Sequence, residues 1–158
     1  MKKCLIAYFS AGGKTESVAK KLADILDCDI YEIKPEVKYT KADLNWMNKN
    51  SRSSLEMNGK SSRPAIITGD LDIAPYDTVI LGFPIWWYVA PTLINTFLES
   101  YDFSGKKIVL FATSGSSGFG NTLSELRPSA PDAEFTESKV LTGIISDSKI
   151  RELAQSVM

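Results

Sequence analysis

Cys4-Leu5-Ile6-Ala7-Tyr8-Phe9-Ser10-Ala11-Gly12-Gly13-Lys14-Thr15 passes from an unbroken apolar run into a small polar turn. An amphipathic stretch carrying Val18, Ala19, Leu22, Ile25 and Leu26 follows at helical spacing. The reading is strand, loop, helix. Such a loop aims backbone N–H groups, the Ser10 and Thr15 hydroxyls and a helix N-terminus at one point, where a phosphate dianion is stabilised. Gly12 and Gly13 permit close backbone approach, and Lys14 adds charge.

Working outward, Asp29-Ile30-Tyr31-Glu32-Ile33 alternates, as an edge strand with one wetter face does. Thr78-Val79-Ile80-Leu81 and Lys107-Ile108-Val109-Leu110-Phe111-Ala112 are continuous apolar runs, the pattern of central parallel strands covered on both faces. A last strand is expected at Ser138 to Leu141, with Ala133 to Phe135 as an interrupted piece before it. Pro91 opens a helix with the inward stripe Leu93, Ile94, Phe97, Leu98 and Tyr101. Ser146 caps a final helix with the stripe Ile150, Leu153, Ala154 and Val157. Strands alternating with helices predict an α/β domain spanning residues 1–158 around a mostly parallel sheet.

The stretch from Lys34 to Asp77 is polar, weakly periodic and too long for an ordinary connection. Thr40-Lys41-Ala42-Asp43 resembles a capping box and predicts a short helix over Leu44, Trp46 and Met47. The remainder, through Ser51-Arg52-Ser53-Ser54 and Ser61-Ser62-Arg63-Pro64, reads as surface loop.

Composition narrows the classes. The chain has 158 residues, with 18 Lys plus Arg against 19 Asp plus Glu and a net charge of −1. No basic stripe is present, which disfavours nucleic acid as a partner. There is no histidine, and the two cysteines, Cys4 in the first strand and Cys28 at the start of the second, suggest two buried reduced thiols rather than a metal site. The apolar run before Ser10 is too short for a signal-peptide core or a membrane span. A cytoplasmic protein is the expectation.

In a parallel sheet, loops leaving the carboxyl ends of the strands share one edge, where ligands collect. Three such loops have unusual compositions. The first is the Ser10 to Thr15 turn. The second, Phe83-Pro84-Ile85-Trp86-Trp87-Tyr88 leading through Val89-Ala90-Pro91, offers three adjacent aromatic rings suited to a planar heteroaromatic ligand. The third, Thr113-Ser114-Gly115-Ser116-Ser117-Gly118-Phe119-Gly120, is small and rich in donors. Taken singly, the first loop could be a plain turn and the aromatics a core cluster, with at least one ring packed inward.

In order and spacing these loops resemble the FMN-binding, flavodoxin-like family across nearly the whole chain. Ser10 to Thr15 is similar to that family's phosphate loop, Ser/Thr-x-Ser/Thr-Gly-x-Thr, with Gly12 at the second hydroxyl position and Lys14 where asparagine is common. Tyr76 to Pro84 resembles its third strand and the start of its isoalloxazine loop, and Thr113 to Gly120 its third loop. The resemblance implies a three-layer, five-stranded sheet in the order 2-1-3-4-5. It implies phosphate binding by Ser10, Gly12, Gly13, Lys14 and Thr15. Pro84, Ile85, Trp86, Trp87 and Tyr88 would flank the flavin, and Thr113, Ser114, Gly115 and Gly118 would line its other side and pyrimidine edge.

Two other architectures fail on residues. Gly13-Lys14-Thr15 matches the end of a Walker A loop, but that motif requires glycine where Tyr8 stands, and no aspartate ends the Gly82 strand. A receiver domain would need acidic residues where Ser10-Ala11 and Phe83-Pro84 stand. For function, the resemblance implies electron transfer to redox partner proteins or a small-molecule acceptor. An FMN-dependent NAD(P)H oxidoreductase of quinones, azo or nitro compounds is the alternative, with a flavin-binding sensor or interaction module third.

Overall fold

The structure, a computed structural model, describes residues 3–59, 61–115 and 117–157. Ser116 of the third loop lies outside them. Five strands form one parallel sheet: β1 (Cys4–Tyr8), β2 (Asp29–Glu32), β3 (Thr78–Pro84), β4 (Lys107–Ser114) and β5 (Glu134–Thr142). Their order is β2-β1-β3-β4-β5, the order of flavodoxin itself, in which the ligand crevice opens at the β1/β3 switch point. The helices are α1 (Lys14–Leu26), α2 (Arg52–Asn58), α3 (Thr92–Ser100), α4 (Thr122–Leu126) and α5 (Asp147–Val157).

Strand alternation sorts the side chains into two layers. Ile6, Tyr8, Ile80, Val109 and Phe111 face α1 and α5, packing with Val18, Leu22, Ile150 and Leu153. Leu5, Ala7, Phe9, Val79, Leu81 and Phe83 face the other way, onto Leu93, Ile94, Phe97 and Leu98 of α3. The helical stripes read from the sequence are therefore the buried ones, except that Ile25 is exposed and Tyr101 and Leu26 are half-buried. Pro91 stands at the N-cap of α3, one position ahead of the first helical residue, and Ser146 Oγ accepts from Lys149 N at 3.3 Å as a cap for α5. The two pieces expected near Ala133 and Ser138 are one strand, with a register shift opposite Leu110 to Ala112.

Two expectations are corrected. Cys4 and Cys28 are half-buried and joined in a disulfide, with Cα atoms 5.5 Å apart. The cause is strand pairing: parallel β1 and β2 set Leu5 opposite Asp29, so the preceding rung puts Cys4 opposite Cys28. The Thr40 capping box does form, with Thr40 N donating to Asp43 Oδ2 at 2.9 Å and Asp43 N to Thr40 Oγ1 at 3.1 Å. It closes only a run of turns, however. The segment's helix comes later, as α2, where Ser51 Oγ accepts from Ser54 N at 3.3 Å and Ser53 and Ser54 are buried rather than in a surface loop.

The segment 34–77 is also anchored to the sheet. Glu36 N donates to Ala65 O at 2.9 Å and Ile67 N to Lys34 O at 2.8 Å, doubling the chain back on itself, and this brings Ile66 and Ile73 into the core. Among the described residues, no helix is long and apolar enough to cross a membrane.

Candidate functional site

The site grows from the carboxyl ends of β1, β3 and β4. Phe9 N donates to Gly82 O at 3.0 Å, extending the β1/β3 ladder one step into the first loop. There Gly13 takes φ +94°, a left-handed conformation that glycine adopts without steric cost, and serves as the N-cap of α1. Its N–H donates to Ser10 Oγ at 3.0 Å. The first-turn N–H groups of α1 have no intrahelical acceptors and point to the loop's open side. A Cβ on Gly12 or Gly13 would meet nothing within 4 Å, so the cradle is open where a ligand would come closest.

The second loop is a tight hairpin. Trp86 N donates to Val89 O at 2.9 Å and Val89 N to Trp86 O at 3.2 Å, with Trp87 and Tyr88 at φ 51° and 65°. Two successive positive φ values make this a turn that usually holds asparagine or glycine. The third loop supports it: Asn121 N donates to Tyr88 O at 3.1 Å, and a Cβ on Gly120 would lie 2.1 Å from that same oxygen. Gly120, at φ +56°, is thus the one residue type that fits both the backbone and the space. The bulky pair at the turn tip is held outward, Trp87 41% and Tyr88 69% exposed. Trp86 turns the other way and meets the Phe9 ring edge-on at 5.7 Å and the Tyr39 ring at 5.4 Å. One of the three aromatics therefore packs inward, as expected.

The loops are cross-linked. Ile85 N donates to Thr113 O at 2.9 Å, and the Thr15 and Thr113 hydroxyls share a buried hydrogen bond of 2.8 Å. Ser114 Oγ accepts from Ser117 N at 3.0 Å, curling the third loop back, while a Cβ on Gly115 or Gly118 would again meet open space. The residues named from the sequence thus lie on loops at one edge, but not every side chain is presented to the crevice: Trp86 packs inward, the Thr15 and Thr113 hydroxyls are buried on each other, and Lys14 is directed elsewhere. Lys14 Nζ donates to Gly143 O at 3.0 Å beyond the end of β5, so its ammonium is tied to the β5–α5 turn.

Sequence reasoning missed a set on the neighbouring side. A cavity of about 480 Å³ joins Phe9, Ser10 and Gly13 to Glu32, Lys34 and Tyr39, opening over the β1/β2 side of the phosphate-type loop. Tyr8 donates to Glu16 Oε2 at 3.1 Å, and burial followed by that bond pushes its phenol well above the ordinary range, keeping it a donor. Tyr39 is likewise pushed up by burial and its hydrogen bond to Glu56. Arg52 lies 3.8 Å over the Tyr39 ring, donates from Nη1 to Val37 O at 2.6 Å, and pairs with Glu56 at 3.1 Å. The pair of Arg52 with Glu56 has helical i,i+4 spacing, but its hold on Val37 carries no local signal, because that carbonyl lies fifteen positions upstream.

A crevice lined by a glycine cradle, a helix N-terminus and exposed aromatics at the switch point of a 2-1-3-4-5 sheet is a site of the flavodoxin type. The chain belongs to the flavodoxin family, whose model matches residues 3–157. It is similar to a Bacteroides uniformis protein classed as a flavoprotein, 46% identical over 98% of both chains with a TM-score of 0.91. A Bacteroides eggerthii protein of the same class is 44% identical over 99% of this chain and 98% of its own, TM-score 0.88. A Lactobacillus acidophilus flavoprotein solved in complex with FMN shares the fold at 22% identity, TM-score 0.70, covering 98% of this chain and 99% of its own. Among curated proteins none matches the chain.

Proposed function

We propose that this protein binds FMN in the crevice between the three loops and works in electron transfer. The observation that carries the reading is the cross-linking of the loops around open glycine positions: Thr15 to Thr113, Ile85 to Thr113 and Asn121 to Tyr88 hold three separate turns on one crevice. Ser10, Gly12, Gly13 and Thr15 would take the phosphate, with Lys14 adding charge from its place on Gly143. Pro84, Ile85, Trp86, Trp87 and Tyr88 would flank the ring, with Trp87 and Tyr88 the exposed candidates for stacking. Thr113, Ser114, Gly115 and Gly118 would face its polar edge.

Bound flavin supplies one- and two-electron redox chemistry, and the protein supplies binding, shielding and hydrogen bonds. Rings stacked on the flavin disfavour its anionic reduced form, which favours a low potential. The near-neutral charge of the chain gives little long-range steering toward a charged protein partner. Outward-facing Trp87 and Tyr88 suit a small-molecule acceptor, and this favours, as second reading, an FMN-dependent NAD(P)H oxidoreductase.

The test is calorimetric titration of the flavin-free protein with FMN. A saturable one-to-one signal is expected, weakened at least tenfold in Gly120→Ala, whose methyl group would displace Tyr88 O. A flat titration of the parent protein would overturn the proposal. With FMN retained, stepwise one-electron reduction marks a carrier, whereas bleaching by NAD(P)H with acceptor turnover marks the enzyme.

A further inference from the structure

A second cleft lies beside the aromatic turn. Trp46, Met47, Lys49, Ser54, Asn58 and Trp87 line an open surface cleft of about 470 Å³, a volume within the range of small-molecule sites. Trp46 is 71% and Met47 76% exposed, so two of the largest apolar side chains in the protein stand in water. Their backbone is fixed. Asp43 and Thr40 bond reciprocally, Met47 N donates to Asn45 Oδ1 at 3.1 Å, Asn50 N to Asn48 Oδ1 at 3.0 Å, and Ser53 N to Asp43 O at 2.9 Å. Arg52 then ties the base of the segment to Val37 and Glu56. Short polar side chains thus pin each turn, holding an indole and a thioether outward on the same cleft as the indole of Trp87.

We propose that this cleft binds a small planar aromatic anion, adjoining the flavin crevice and sharing Trp87 with it as a common wall. Two indoles and a thioether favour a flat, polarisable ring. Lys49, which makes no ion pair among the described residues, supplies the charge complement, with exposed Asn58 as a polar neighbour and the buried Ser54, bonded to Ser51, forming the floor. A sulfonated or hydroxylated quinone has this chemistry. The inference rests on the proposed flavin crevice for its meaning, as the place where an acceptor waits beside the cofactor, while the cleft itself is built from the chain's own residues.

The experiment is calorimetry on the full chain, with and without FMN, using 1,4-naphthoquinone-2-sulfonate and neutral 1,4-naphthoquinone as probes. The sulfonate is expected to bind in both forms. Trp46→Ala should weaken it at least tenfold while leaving FMN affinity unchanged. Lys49→Gln should weaken the sulfonate about fivefold and the neutral probe less than twofold. Leu55→Ala, at an exposed position outside the cleft, should leave both unchanged. All three positions are at the surface, and circular dichroism confirms the fold of each variant. No probe binding, binding indifferent to Trp46→Ala, or stoichiometric displacement of the probe by FMN would each overturn the second site. Failure of FMN to bind would sink the proposed function instead, while the dependence of probe binding on Trp46 would still decide the cleft.

Discussion

The three loops at the carboxyl edge and the segment 34–77 border the same crevice, yet different forces hold them. Each loop continues a strand: Phe9 follows the β1/β3 ladder, and Ile85 and Thr113 continue β3/β4. Their positions come from backbone hydrogen bonds that any sequence of suitable pattern would make. The long segment meets the sheet's pattern at few backbone points, the Pro35–Ile66 bridge and the bond of Asp77 N to Lys3 O, and besides the burial of Ile66 and Ile73 it is held together by side chains: Arg52 on Tyr39, Val37 and Glu56, and Arg63 on Glu99. The lesson is that a ladder spreads its stability over the sheet, whereas a side-chain network concentrates it in a few residues and fails locally.

That contrast can be broken or sharpened by four measurements. The largest effect is expected in the ladder's foundation. Phe111 is buried against Gly82, where a Cβ would lie 2.2 Å from its ring. Phe111→Ala should therefore cost about 3–5 kcal/mol of global stability in urea unfolding, by lost burial and the cavity left behind. A loss near zero would mean that the sheet centre does not carry the loops.

Next comes the bond at the opposite edge of the sheet. The Cys4–Cys28 disulfide closes a loop with a sequence separation of 24. Cys28→Ser, or a thiol reductant, should cost roughly 3 kcal/mol in a chain-entropy picture, while FMN affinity holds because the bond lies at the amino ends of the strands. A melting temperature indifferent to reductant would contradict the bond.

Arg52→Ala should cost about 1.5–3 kcal/mol of local stability in the segment, the scale of hydrogen bonds to a charged group. Its effect should be local, with amide exchange across 37–58 accelerating and the global urea midpoint nearly fixed. Uniform acceleration would erase the distinction between the two regions.

The smallest effect concerns acid. Arg63 Nε donates to both oxygens of Glu99 at 3.0 Å, and this, with the Ser129 hydroxyl, holds the Glu99 carboxyl below its ordinary 4.5. A carboxyl whose folded pKa is depressed stabilises the fold above the unfolded value and loses that contribution as pH falls through the folded one. Arg63→Ala should therefore flatten the stability profile below about pH 4.5, by under ~1 kcal/mol because both partners are partly exposed. Superimposable acid profiles of the two proteins would remove the assignment.

Much of the carboxyl edge is legible in the sequence because its signals are local. The run Cys4 to Phe9, the small residues Ser10 to Gly13 and the stripe Val18 to Leu22 lie within a few turns of one another, and strand and helix periods decide their structure. The aromatic trio could be placed on a loop, but not which ring turns inward. Trp86 packs on Phe9 and Tyr39, residues far from it in the chain. The Thr40 capping box was a true local signal with the wrong sequel, because the bonds of Asn45 and Asn48 favour turns over a continuing helix. α4 gave no strong pattern at all, being five residues long.

By itself the sequence determined the alternation of strands and helices, the buried stripes and the residues gathered at the crevice, because each depends on near neighbours and the period of a regular backbone. Only the tertiary structure decided the pairing of Cys4 with Cys28, the hold of Arg52 on the long segment, the seat of Gly120 beneath Tyr88 and the meeting of Trp46 and Trp87 on one cleft. These join residues well separated along the chain. Their contact is set by strand register and by packing of layers, which no single stretch of sequence contains.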